Sequence, residues 1–99
     1  MQASITGTSI RLLTAVPGPR SIELEKRRKA SVARGVGSVL PIFVRRASGA
    51  TIEDVDGNQL LDFTGGIGCQ NAGHVPAEAL AAIQNQAEQF IHTCFMVTP

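Results

Sequence analysis

The 99-residue sequence contains no tryptophan and no tyrosine, and its only aromatic side chains are four phenylalanines. Hydrophobic residues reach 43%, but most are Ala, Val, Ile and Leu, so few large side chains exist to fill an interior. No apolar run is long enough to span a bilayer as a helix, and a net charge of +1 gives no large field to attract membrane or nucleic acid. Cysteine is scarce. Cys69 and Cys94 are the only candidates for a disulfide, and a chain with two cysteines and no secretory leader reads as reduced and cytoplasmic. Lysine is scarcer than arginine: only Lys26 and Lys29 occur, both in a charged segment where nothing desolvates an amine. No Ser-His-Asp set and no paired carboxylates are spaced for catalysis. Composition and spacing alone therefore do not define an enzyme.

What is present centres on Thr51–His74. Ile52 and Val55 on one side of Asp56-Gly57, and Leu60, Leu61 and Phe63 on the other, form the apolar half of a hairpin. Asp-Gly is a strong turn signal because Gly accepts φ > 0 without a Cβ clash. After Phe63 the chain becomes Gly65-Gly66-Ile67-Gly68-Cys69, irregular but still apolar. Backbone of that kind usually lies against a ligand, a second domain or another subunit.

Around this stretch, residues 1–19 read as an arm ending in Pro17-Gly18-Pro19. The first 22 residues lack acids, which hints at a transit peptide, although the Val16–Pro19 break weighs against one. Ser21 is a suitable N-cap for a helix over Ile22–Ala33, stopping at Arg34-Gly35. Glu23–Arg27 and Glu25–Lys29 are i,i+4 pairs worth about 0.3 kcal/mol each. Pro41–Val44 reads as a short strand closed by Arg45-Arg46, and Ser48-Gly49 as a turn, so three short strands make an antiparallel meander. From Pro76 the period becomes helical, with Leu80, Ile83, Ala87 and Phe90 on one face to be buried and Pro76 in the first turn. The expected class is α+β: helix, three-strand meander, Gly-rich loop, helix.

Several motifs invite a ligand, and each has a plainer reading. The Gly-rich run lacks the remaining elements of a dinucleotide loop or a P-loop, so close backbone packing is the simpler account. Asp54-Val-Asp56-Gly57-Asn58 begins like a calcium loop, but the twelfth position holds Gly65 where that loop needs Glu. Cys69, His74, His92 and Cys94 lack the close pairing of zinc ligands. Lys26–Lys29, interleaved with acids, reads as a solvated helix face.

Taken in order, a set of blocks resembles the N-terminal segment of class III, pyridoxal-phosphate-dependent aminotransferases. They are Val16–Ser21, Glu25–Arg27, Ala33–Gly37, Leu40–Val44, Asp54–Asn58, Leu61–Phe63, Gly65–Ile67, Asn71–His74 and His92–Pro99. Within the family they most resemble the branch acting on 4-aminobutyrate. The resemblance implies fold-type I architecture, with residues 20–99 as the opening of a small domain. It implies a homodimer, and transfer of an amino group from an ω-amino acid to 2-oxoglutarate through pyridoxal 5'-phosphate. It also implies that the cofactor lysine and phosphate site lie beyond Pro99, leaving this chain inactive by itself. Two substrate-binding positions carry over, Ile67 and Met96; some relatives have Gln at the latter, and Met cannot donate a hydrogen bond. Val75-Pro76-Ala77 departs from the pattern of many relatives, which have a residue, His, then Pro here. A stand-alone binding module and a dimer-interface module remain as alternatives.

Overall fold

The computed structural model describes residues 9–93 and 96–97. It is α+β: helix α1 (Pro19–Ser31), strands β1 (Val44–Ser48), β2 (Thr51–Asp54) and β3 (Gln59–Leu61), a single turn α2 (Gly65–Gly68) and helix α3 (Ala77–Gln89). The strands form one antiparallel sheet in the order β1-β2-β3. No helix among the described residues is long and apolar enough to cross a membrane.

The hairpin expected at Asp56-Gly57 is present, with Ile52 opposite Leu60 and Glu53 opposite Gln59. Its tip is closed by Gly57 N–H donating to Asp54 O at 3.1 Å. The first strand lies further along the chain than Pro41–Val44. Arg45 and Arg46 sit inside it, not at its end. The physical reason is across the sheet: the register shifts between Val44 and Arg46, and both arginines reach the Glu53 carboxylate, Arg45 at 3.7 Å and Arg46 at 2.5 Å. A bulge sets two residues against one, and here the charges it gathers are opposite.

Helix α1 begins earlier than Ser21 and ends before Ala33. Gly18 is its N-cap residue and Pro19 occupies the first turn, where a missing N–H costs nothing. Ser21 is therefore inside the helix, and it is buried. The exposed N–H groups of the first turn are met from the hairpin tip: Asp56 Oδ1 accepts from Arg20 N at 2.7 Å, and Oδ2 from Ser21 N at 2.9 Å and Ser21 Oγ at 2.6 Å. A β-hairpin carboxylate thus caps a helix that has no capping side chain of its own. The approach is so close that a Cβ on Gly18 would run into Asp56 and Thr14. Along the helix Glu25 pairs with Lys29 at 3.5 Å as expected, whereas Glu23 reaches Lys26 at 4.0 Å.

The arm is not independent of the fold. Arg11 and Gln59 exchange backbone hydrogen bonds of 2.9 and 2.8 Å, laying the arm beside β3. Asn58 completes the join: its Oδ1 accepts from Leu13 N (2.8 Å) and Thr14 N (2.9 Å). Its Nδ2 donates to Thr14 Oγ1 (2.9 Å) and Asp54 Oδ2 (2.8 Å). Every hydrogen-bonding position of that amide is used.

The interior is polar. Among the described residues the buried polar and charged ones are Ser21, Thr51, Glu53, Asp54, Asn58 and Gln59, and no large hydrophobic side chain is fully buried. The apolar face expected to be buried on α3 is open instead, with Leu80 at 42% and Ile83 at 65% exposure. Pro76 caps that helix rather than opening its first turn, and Phe90 has already left it in extended conformation.

Candidate functional site

The Gly-rich run is a turn with a hand. Gly65, Gly66, Ile67 and Gly68 all have positive φ, at 53°, 63°, 58° and 80°. Gly66 and Ile67 have ψ of 37° and 53°, so the run is a left-handed helical turn. Gly68 N–H donates to Thr64 O at 2.9 Å and Gln70 N–H to Gly65 O at 2.8 Å, closing it. Three glycines accept this conformation freely. Ile67 does not: a β-branched L-residue there carries roughly 1–2 kcal/mol of strain. Its side chain is 95% exposed, so no contact within the described residues repays that strain. A strained residue held open in this way points to a function outside the local fold.

Asp62 holds the entrance to the turn. Its Oδ1 accepts from Thr64 N (3.0 Å), Thr64 Oγ1 (2.8 Å) and Gly65 N (2.9 Å). Its Oδ2 lies 2.7 Å from His74 Nε2. An ionised carboxylate only accepts, so His74 carries its proton on Nε2 and donates. The His74 hydrogen bond, then those of the Thr64 hydroxyl and the Gly65 N–H, lower the Asp62 pKa from 3.8 to about 2 against the opposing effect of burial. His74 is itself fixed by backbone bonds exchanged with Gly49, of 2.8 and 3.0 Å. The turn at the head of the sheet and the exit of the Gly-rich loop are therefore one unit.

Of the substrate-side residues expected from the sequence, Ile67 stands at the apex of the left-handed turn, whereas Met96 lies in a separate turn and is 92% exposed. No sequence motif marks Asp62 and His74 as a pair; Asp62-Phe63-Thr64 is the local pattern of a side chain turning onto the backbone two residues on, and it carries that signal. No group of His, Cys, Asp and Glu among the described residues is arranged to hold a metal. Cys69 is an exposed free thiol, and Cys94 lies outside the described residues, as do residues 1–8 of the arm. The calcium-like stretch is spent on structure: Asp54 Oδ1 accepts from Asp56 N (2.9 Å) and Asn58 N (2.8 Å).

Among the described residues, neither lysine is enclosed as covalent anchoring of an aldehyde cofactor would need. Both lysine side chains lie on α1 and are open to solvent, at 72% and 73% exposure.

The chain belongs to the class-III aminotransferase family, whose model matches residues 31–99. It is 50% identical over 91 residues to the 4-aminobutyrate aminotransferase of Mycobacterium leprae (strain TN), covering 92% of this chain and 20% of that protein. It is 49% identical over 74 residues to the 5-aminovalerate aminotransferase DavT of Pseudomonas putida, covering 75% of this chain and 17% of that protein. It is 44% identical over 75 residues to the 4-aminobutyrate aminotransferase GabT of Escherichia coli, covering 76% of this chain and 18% of that protein. The chain thus spans about one fifth of the length of the curated relatives it matches. The left-handed turn, Asp62 and His74 all fall inside the family-matched residues.

Proposed function

We propose that this chain forms the opening of the small domain of a fold-type I aminotransferase. The whole enzyme would work as a cytoplasmic homodimer with pyridoxal 5'-phosphate and move an amino group from an ω-amino acid such as 4-aminobutyrate to 2-oxoglutarate. The lysine and phosphate site for that cofactor would come from residues other than those described. The part played by this chain is on the substrate side. The left-handed turn would set Ile67 against the carbon chain of the amine, adding van der Waals contact and excluding water without taking part in proton transfer. Met96 would line the same site from the far end of the chain, contributing apolar contact only.

The observation that carries this reading is the strained, 95%-exposed Ile67 inside the family-matched residues. An isoleucine held left-handed in open water is unfavourable in isolation, and a substrate chain covering it would supply the missing contact. The apolar face of α3 fits the same picture, since a large cofactor domain would cover it.

The test is to express the complete product of the reading frame that contains this chain. Transfer from 4-aminobutyrate and 5-aminovalerate to 2-oxoglutarate is then assayed. Transfer from at least one donor is expected. A frame that closes at Pro99, giving a product that binds a partner but transfers no amino group, would establish the alternative of a small binding or dimer-interface module.

A further inference from the structure

We infer that Asp62 and His74 are positioning residues for amine selection, holding the left-handed turn in the geometry that presents Ile67. The inference rests on the reading proposed above and adds to it two residues that would act through the turn.

The argument is one of connection. Asp62 leaves β3 with its N–H bonded to Ala50 O at 2.9 Å, and His74 exchanges backbone bonds with Gly49. Both ends of the segment 62–74 are thereby tied to the same β1–β2 turn. The 2.7 Å contact between Asp62 Oδ2 and His74 Nε2 closes the loop between those ends. On its other oxygen, Asp62 gathers the Thr64 and Gly65 donors that start the turn. Inside the turn the remaining bonds run from backbone to backbone. Among the described residues, Asp62 is the side chain through which the turn is anchored. A strained conformation persists only where its surroundings over-determine it. Removing that carboxylate releases the first two N–H groups, and Ile67 is then free to relax towards negative φ. Its side chain would leave the position from which it meets the amine. A supporting shell of this kind decides how accurately a contact residue is held.

The experiment uses the complete enzyme with four variants: Asp62→Ala, Asp62→Asn, His74→Gln and Ile67→Gln. Steady-state constants are measured for a four-carbon and a five-carbon ω-amino acid, and amide exchange is followed over residues 64–70. Asp62→Ala should raise KM for the amine about tenfold and change the preference between the two amines, while kcat stays within about twofold. Exchange over 64–70 should quicken in the same variant. Asp62→Asn should restore both readouts, because its oxygen still accepts from Thr64 and Gly65 and its amide can donate to the other His74 tautomer. His74→Gln should lie between them. If Ile67→Gln shifts amine preference while Asp62→Ala and His74→Gln alter neither preference nor exchange, the inference is overturned and the substrate-side reading stands. If Ile67→Gln shifts nothing, that reading falls and takes this one with it. If Asp62→Ala does not fold, His74→Gln and the Asp62→Asn rescue decide, and unchanged exchange in His74→Gln counts against the inference.

Discussion

Asp56 and Ser21, far apart in the chain, meet through two hydrogen bonds to one carboxylate oxygen, from Ser21 Oγ at 2.6 Å and Ser21 N at 2.9 Å. Burial pushes the Asp56 pKa up, but these bonds, the Arg20 N–H and the Arg20 charge together bring it below 3.8. The ionised carboxylate is what the helix terminus prefers, so helix and hairpin tip hold each other in place.

Gly18→Ala should break that contact by sterics alone. A Cβ at residue 18 collides with the Asp56 side chain and with Thr14 Oγ1, and neither can withdraw without losing its own bonds. The expected loss is about 1–3 kcal/mol, read by urea or thermal unfolding of the protein. A change below about 0.5 kcal/mol would show that the arm does not dock as described.

Asn58→Ala should be more costly than its small size suggests. The Leu13 and Thr14 N–H groups and Asp54 Oδ2 would all lose their partner at once. A loss of about 3 kcal/mol is expected, with faster amide exchange at Leu13 and Thr14 as the local sign. Asn58→Asp should be no better, since it sets a second carboxylate against buried Asp54.

Ile67→Gly separates stability from function. It removes the one β-branched residue from the left-handed turn, so stability should hold or rise, by up to about 1 kcal/mol. If Ile67 meets the amine as proposed, KM for the amine in the complete protein should nevertheless increase. A clear loss of stability would mean Ile67 is packed, not presented.

Asp62 sets an acid limit on the turn. Its pKa is lowered to about 2 in the folded chain, so the bonds it accepts stabilise fully above the ordinary value of 3.8 and are lost as pH falls through about 2. Amide exchange at Thr64 and Gly65, corrected for its intrinsic pH dependence, should therefore quicken between about pH 4 and pH 2. Asp62→Asn should abolish that step, and its persistence in the variant would assign it to another group.

Much of the architecture is local and was legible. Asp56-Gly57 between apolar runs gave the hairpin, and the spacing of Leu80, Ile83 and Ala87 gave α3. What escaped is what depends on distant partners. Ser21 reads as an N-cap because its own neighbourhood allows it, but Asp56 supplies the cap across the fold and moves the start to Pro19. Arg45-Arg46 reads as the end of a strand until Glu53 is placed opposite. The handedness of the Gly-rich run was hidden for another reason: Ile67 has no preference for positive φ, and only the flanking glycines and the Asp62 anchor impose it. For the site, the resemblance pointed to Ile67, whereas the Asp62–His74 contact emerges only when the loop is closed.

The polar interior also governs how the chain answers to temperature. Unfolding raises heat capacity in proportion to the apolar surface it exposes and lowers it for polar surface. Here Asp54, Asn58, Glu53 and their neighbours are what becomes hydrated, so the isolated chain should show an unusually small heat-capacity increment. Its stability curve would be broad and nearly straight, without the steep fall on cooling that follows when apolar burial dominates. Calorimetry of this chain would read that small increment directly.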